Sequence, residues 1–269
     1  MTAIVYDHPL SPYAQKVRLM LREKGIPFEA RIPDGLGSGT DTGYSAQNPR
    51  MEVPALVIDG ATLCDSTVIL EYLEETHPEP PMMPDGAINR ARMRMIEDVF
   101  DTNWEAINWG LGEVEFFKRG GEALRPVLEG TSRVELDKLY QWLDRMLGDN
   151  PWLTGDRFGW GDISAIPFVN MSVFMGFPPQ NLPRVSAWIA RALDRPTVAE
   201  TEAEALVAAR QMHQYSGLVD SGLMRRQFRD HRLEWMIRSG GIQVVLDGMK
   251  ADNIRFTDLA KFADGIPGA

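Results

Sequence analysis

The spacing of apolar and polar positions divides the chain into two parts. Ala3-Ile4-Val5-Tyr6 reads as a short strand that runs through Asp7-His8-Pro9-Leu10 into Ser11-Pro12 and a helix. The helix is expected because Tyr13, Val17, Met20 and Leu21 recur at helical spacing, with Lys16, Arg18, Arg22 and Glu23 on its other faces. Gly25-Ile26-Pro27 ends it, and Phe28 to Ile32 alternates like a half-buried strand, so the first 32 residues form a parallel βαβ unit. Residues 33–48 are rich in Gly, Ser, Thr and Asp and predict a loop with at most a short helix. Val53 to Ile58 and Ala61 to Cys64 flank Asp59-Gly60, a strong hairpin signal. Asp65-Ser66-Thr67 then opens a helix whose Val68, Ile69, Tyr72 and Leu73 share a face and which His77-Pro78 closes.

Beyond the proline-rich stretch at 79–86 the pattern is helical. Ala87 to Phe117 is a long helix candidate with a possible break at Gly110–Gly112, and Val134 to Leu147 a shorter one with Leu136, Leu139, Tyr140 and Leu143 on one face. The organisation expected is a domain over 1–78, a linker over 79–86, an all-helical domain over 87–212, and an extension over 213–269 that matches no motif. Within the extension, Arg225, Arg226, Arg229, His231, Arg232 and Arg238 make a basic stretch that reads as a solvated face, an active-site cover or a dimer contact.

Composition narrows the function classes. Lys and Arg number 28 against 38 Asp and Glu, a net charge of −10, which disfavours generic nucleic-acid binding. The start carries neither the charged region nor the long apolar run of a signal peptide, and no stretch has the apolar length of a membrane span, so a cytosolic protein without a membrane partner is expected. With a single cysteine, Cys64, there is no local dithiol pair, and the four histidines have no metal-ligand spacing, so no metal is expected. Cys64 reads as a small core residue.

Three short motifs carry the chemistry. Ser11-Pro12-Tyr13 precedes a helix bearing Lys16-Val17-Arg18, Asn48-Pro49 precedes Val53-Pro54-Ala55-Leu56, and Asp65-Ser66 precedes Ile69-Leu70-Glu71-Tyr72-Leu73. Taken in order they resemble the N-terminal domain of glutathione S-transferases of the serine-type classes (tau, theta and zeta), with a bacterial flavour. The resemblance implies a thioredoxin-like βαβ-ββα domain followed by an all-helical domain: α/β plus all-α. Residues 151–166 resemble the family's folding motif, in which a Ser or Thr caps a helix three residues before an Asp; here Asp162 is kept and Gly159 stands at the cap, so the reciprocal capping box is expected to be lost.

The same resemblance implies a detoxification enzyme, cytosolic and homodimeric, that uses glutathione as co-substrate. Alone, a Ser-Pro helix start is a cap; within the family pattern Ser11 becomes the catalytic residue, its hydroxyl donating to the glutathione thiolate at the positive end of the helix. Tyr13, Val53, Pro54, Asp65 and Ser66 become glutathione-binding, with the Val53–Pro54 bond cis and Val53 pairing the cysteinyl backbone. Asp65 and Ser66 face the γ-glutamyl ammonium and carboxylate. The family commonly has Lys or Gln before the Val-Pro, where this chain has Glu52, so Arg50 or Gln47 is expected to take the glycine carboxylate. Leu10, Trp104, Ile107 and Trp109 are weaker candidates for the wall of a pocket for a small hydrophobic electrophile. Two rival readings carry less: Tyr6 or Tyr13 as the activating hydroxyl, and a non-catalytic interaction module on the same fold.

Overall fold

The computed structural model describes residues 3–37, 42–226, 228, 230–254 and 259. Strand β1 (Ala3–Tyr6) leads into α1 (Pro12–Glu23), then β2 (Phe28–Arg31), β3 (Ala55–Ile58), β4 (Ala61–Cys64) and α2 (Ser66–Thr76). The sheet order is β2-β1-β3-β4, with β2 parallel to β1 and β3 and β4 antiparallel neighbours. This is the thioredoxin-like βαβ-ββα arrangement. Among its described residues, the loop before β3 contains one short 3-10 turn, Tyr44–Ala46. Strand β2 lies at the sheet edge and is mostly exposed, so it lacks the clean alternation that its sequence suggests.

An all-helical domain follows: α3 (Ala87–Val99), α4 (Glu105–Glu115), α5 (Gly121–Leu147), α6 (Trp160–Phe174), α7 (Pro183–Leu193) and α8 (Pro196–Gln211). Its centre is aromatic. Phe100 stacks on Trp104 with ring centres 4.8 Å apart, and Trp104 meets Tyr140 edge-on at 4.9 Å. Among the described residues no helix is long and apolar enough to cross a membrane.

Three sequence expectations need correction here. The long helix over Ala87–Phe117 is interrupted by a π-turn at Phe100–Trp104, and the chain is helical through Gly110 and Gly112. Helix α5 begins at Gly121, not near Val134, and includes Pro126. Its first three turns are almost wholly solvated, so they show no apolar stripe, and Pro126 sits inside the helix, in the second turn, where it forgoes the N–H bond to the Glu122 carbonyl. Lys16 and Arg18 are buried although charged, because α1 is covered on one side by the sheet and α2 and on the other by α6 and α8. Arg18 pairs with Asp7 through two nitrogens and with Glu204 of α8, while Arg22 reaches Glu204 at 2.7 Å and Glu200 at 2.9 Å.

The folding motif keeps more than expected. The Gly159 N–H donates to Asp162 at 3.1 Å, which preserves one arm of the capping box. The other arm is replaced across the loop, where the Thr154 hydroxyl accepts from the Gly161 N–H at 3.1 Å. The Met82 carbonyl, from the interdomain linker, accepts from Trp160 N–H at 2.8 Å. A side chain at 159 has no room: a Cβ there would run into the Met82 carbonyl and approach Thr154 at 2.8 Å. Gly159→Ser is therefore expected to destabilise the protein by about 1–3 kcal/mol, read from urea unfolding midpoints.

After α8 come a 3-10 turn (Met212–Tyr215) and the short helices α9 (Ser216–Asp220), α10 (His231–Arg238) and α11 (Ile242–Lys250). Of the basic stretch, Arg229 lies outside the described residues.

Candidate active site

Sheet register brings the three motifs together. Arg31, Tyr6, Ala55 and Cys64 lie in one cross-strand row. Just past that row, at the same end of the sheet, β1 continues toward Ser11, β3 is entered from Val53-Pro54, and β4 runs into Asp65-Ser66.

The approach to Ser11 is braced by His8, whose carbonyl accepts from the Ser11 N–H at 2.8 Å and whose Nδ1 accepts from the Leu10 N–H at 3.2 Å. Burial holds the His8 imidazole below its usual pKa despite Asp7 alongside, so at neutral pH the ring is uncharged and can accept that bond. Ser11 is the N-cap of α1, half-buried, and its Oγ accepts from the Ala14 N–H at 3.4 Å. The hydroxyl proton stays available to a partner outside the helix, because capping uses only a lone pair. The first turn offers few other donors: Pro12 has no N–H, and Gln15 N–H is taken by the Ser11 carbonyl at 3.0 Å. Tyr13 turns toward the helical domain, where its hydroxyl donates to the Asp101 carbonyl at 2.7 Å and its ring meets Phe168 edge-on.

Val53–Pro54 is cis. The loop before it is shaped around the Glu52 carbonyl, which accepts from the Tyr44 hydroxyl at 2.8 Å and from Asn48 Nδ2 at 2.7 Å. Gln47 is half-buried and Arg50 exposed on this loop. The Cys64 thiol donates to the Gln47 carbonyl at 3.2 Å, and burial pushes its pKa up, so it behaves as a packed thiol and not as a nucleophile. Asp65 holds positive φ (78°), uncommon for a residue with a side chain, and its Oδ1 caps α2 through the N–H groups of Thr67 at 2.9 Å and Val68 at 3.3 Å. Capping leaves Oδ2 without a role in the helix. Ser66, next to it, is buried.

Beneath these turns lies a charged cluster that periodicity does not reveal. The Lys16 ammonium, with no exposure, bonds Glu97 and both oxygens of Asp101, at 2.8 and 2.9 Å. Burial pushes the Asp101 carboxyl up to about 6, against the pull of Lys16 and with a further push from Glu97.

On the helical side the candidates separate. Trp104 has no exposure and its Nε1 donates to Ser172 at 2.8 Å, so it belongs to the domain core. Leu10, Ile107 and Trp109 are half-buried. Trp109 is covered by the chain's own extension: Phe228 meets it edge-on at 4.5 Å and the Arg226 guanidinium lies 5.4 Å from its ring centre. Arg226 also pairs with Glu113 at 2.6 Å, and the Arg225 N–H donates to the Gly37 carbonyl at 2.8 Å, so this stretch touches both domains. A shallow cavity among Leu111, Val114, Arg125, Phe174 and Phe177 touches none of the residues singled out from sequence.

Comparison with known proteins gives the family of the fold. The glutathione S-transferase N-terminal domain matches residues 5–81, and the glutathione S-transferase C-terminal domain matches residues 96–191. The chain is a glutathione S-transferase-fold protein with both domains. A glutathione S-transferase structure from Rhodospirillum rubrum superposes on this transferase-fold chain with a TM-score of 0.66 and 29% identity, covering 74% of this chain and 91% of that one. Glutathione S-transferase 3 of Glycine max is 25% identical over 209 residues, 74% of this chain and 88% of the relative. A probable maleylacetoacetate isomerase of Caenorhabditis elegans is 36% identical over 93 residues, 35% of this chain; the match spans less than half of that relative, 44%. These similarities support glutathione-thiolate chemistry in general, and they do not distinguish the subclass, serine-type or other.

Proposed function

We propose that this protein is a cytosolic, homodimeric glutathione transferase in which Ser11 stabilises the glutathione thiolate for attack on a small hydrophobic electrophile. The observation that carries the reading is the convergence of Ser11, cis Val53–Pro54 and Asp65-Ser66 at one end of the sheet. Each fits a different part of the tripeptide. The Val53 backbone N–H and C=O make no hydrogen bond among the described residues and suit an added peptide strand, the cysteinyl unit. At the start of α2 the Ser66 N–H and hydroxyl suit the γ-glutamyl carboxylate, while Asp65 Oδ2 suits its ammonium. Arg50, exposed on the neighbouring loop, or Gln47 supplies the contact for the glycine carboxylate.

In this reading the thiol proton passes to solvent and the sulfur stays charged beside the Ser11 hydroxyl. The sulfur lone pair then forms the new bond to carbon, and a halide or aryloxide departs with its bonding pair; an isomerisation returns the thiolate instead. Leu10 and the half-buried face of α4 at Ile107 provide apolar surface for the electrophile, with Trp109 beside them under the Arg226–Phe228 stretch. The similarity to maleylacetoacetate isomerases keeps isomerisation beside conjugation, ether cleavage and dehalogenation. Isothermal calorimetry with glutathione tests the reading: saturable binding at or below millimolar ligand is expected, and absence of heat at that concentration contradicts it.

A further inference from the structure

One carboxylate joins the two helices that carry opposite ends of the proposed glutathione site. Glu97, in the last turn of α3, is 2% exposed. Its Oε1 accepts from the Lys16 ammonium of α1 and from the Thr67 hydroxyl of α2, the latter at 2.8 Å. Its Oε2 accepts from the Trp160 indole N–H at 2.7 Å, which fixes the carboxylate on α6 of the helical domain. Lys16 stands one turn after Ser11, and Thr67 immediately follows Asp65-Ser66.

The π-turn completes the arrangement. In it the Glu105 N–H bonds to the Phe100 carbonyl five residues back, which widens the helix between Glu97 and the residues after it. Asp101 lies in that widened turn, and it takes both the Lys16 ammonium on its carboxylate and the Tyr13 hydroxyl on its carbonyl. The first two turns of α1 are thus held at Tyr13 and Lys16, and the first turn of α2 at Thr67, by one short stretch of the second domain.

A buried ammonium between two carboxylates is a poor way to gain stability, since desolvating three charges offsets much of their attraction and an apolar cluster of equal volume would pack the domains at least as well. What directional bonds supply is position. We propose that Glu97 is a positioning residue of the glutathione site: by bonding Lys16 and Thr67 together it sets the distance between the Ser11 turn, which holds the sulfur, and the Asp65-Ser66 turn, which holds the γ-glutamyl group. The assignment rests on the transferase reading above. It explains why a site built wholly from N-terminal residues has its spacing fixed from the helical domain.

The test compares wild type with Glu97→Gln, which keeps the shape but removes the charge that holds Lys16 and leaves one acceptor oxygen where Lys16, Thr67 and Trp160 now share two, and with Thr67→Val, which cuts only the link to α2. Glu97→Gln should weaken glutathione binding about tenfold by calorimetry, raise KM for glutathione more than it lowers kcat with saturating glutathione, and move the pKa of the bound thiol upward by about one unit. Thr67→Val should weaken binding severalfold and leave that thiol pKa where it is, because Lys16 still holds the Ser11 turn. A Glu97→Gln protein with a lower melting temperature but unchanged glutathione affinity and thiol pKa would overturn the assignment, as would unchanged affinity in Thr67→Val if Glu97→Gln does not fold. Failure of the wild type to bind glutathione would remove the transferase reading and this assignment together; binding by the wild type with no effect of either substitution removes this assignment alone.

Discussion

Replacing Ser11 by alanine should lower turnover with glutathione by roughly tenfold or more while the protein stays folded and keeps its capacity to bind the tripeptide. The magnitude follows from the thiol. Bringing a pKa from about 9 down to 6–7 requires about 3–4 kcal/mol of differential stabilisation of the thiolate. A hydrogen bond to a charged group contributes about 1.5–3 kcal/mol. The positive end of α1 adds up to about 2 kcal/mol in a partly buried setting. Neither is sufficient alone, so loss of the hydroxyl leaves the sulfur mostly protonated at neutral pH. The structure sharpens this point. With Pro12 lacking a donor and the Ala14 and Gln15 N–H groups already engaged by Ser11, the hydroxyl is a donor that capping leaves over at this helix start. The lost cap costs about 1 kcal/mol of stability, well within what a protein of this size tolerates, so the activity loss should exceed any loss of fold. Steady-state rates with several acceptors, together with circular dichroism, check the outcome.

The second large effect concerns Asp162, which has no exposure and accepts from four donors: the N–H groups of Leu153 at 2.9 Å, Gly159 at 3.1 Å and Thr154 at 3.4 Å, and the Trp188 indole at 2.8 Å. This one carboxylate ties the loop before α6 and helix α7 to the start of α6. Asp162→Ala would leave all four donors unpaired in the interior and should cost about 3–5 kcal/mol, a large share of a typical total stability. Differential scanning calorimetry or urea unfolding reads it. Burial raises the Asp162 carboxyl to about 6, while the four donors pull it down. Because the folded-state value lies above the ordinary one, the carboxyl's stabilising contribution is complete below pH about 4 and is lost as the pH rises through about 6. The stability of wild type relative to Asp162→Asn should accordingly fall over that interval, while Asp101, also raised to about 6, titrates in both proteins and cancels from the comparison.

The N-terminal half was largely legible in the sequence because its signals are local. Asp59-Gly60 sets the hairpin, Ser11-Pro12 and Asp65-Ser66 start helices, and the apolar runs between them are too short to be anything but strands. The same motifs converge at one end of the sheet, where the proposed site lies. What escaped is what depends on distant partners. Periodicity puts a lysine or arginine on the solvent side of a helix, yet Lys16 and Arg18 are buried, since their partners Glu97, Asp101 and Glu204 come from the other domain and cover the face that α1 would otherwise expose. The solvated first half of α5 has no stripe to read, and the π-turn at Phe100–Trp104 carries no glycine or proline to announce it. Trp104 shows the limit from the other side: an aromatic residue at helical spacing suits a pocket wall and a core alike, and only packing against Phe100 and Tyr140 places it in the core. In the extension, Arg226 and Phe228 find Trp109 more than a hundred residues away, a contact that charge patterning does not show.

The claim on which the account rests is that the thiol of bound glutathione ionises more readily because of the Ser11 hydroxyl. Titrating the ultraviolet absorbance of the thiolate in the binary complex measures this directly in wild type and Ser11→Ala. The account predicts a bound thiol pKa of about 6–7 in wild type, rising by at least about one unit in the variant. A bound thiol that titrates near its free value of about 9 in wild type, or identically in the two proteins, would contradict it.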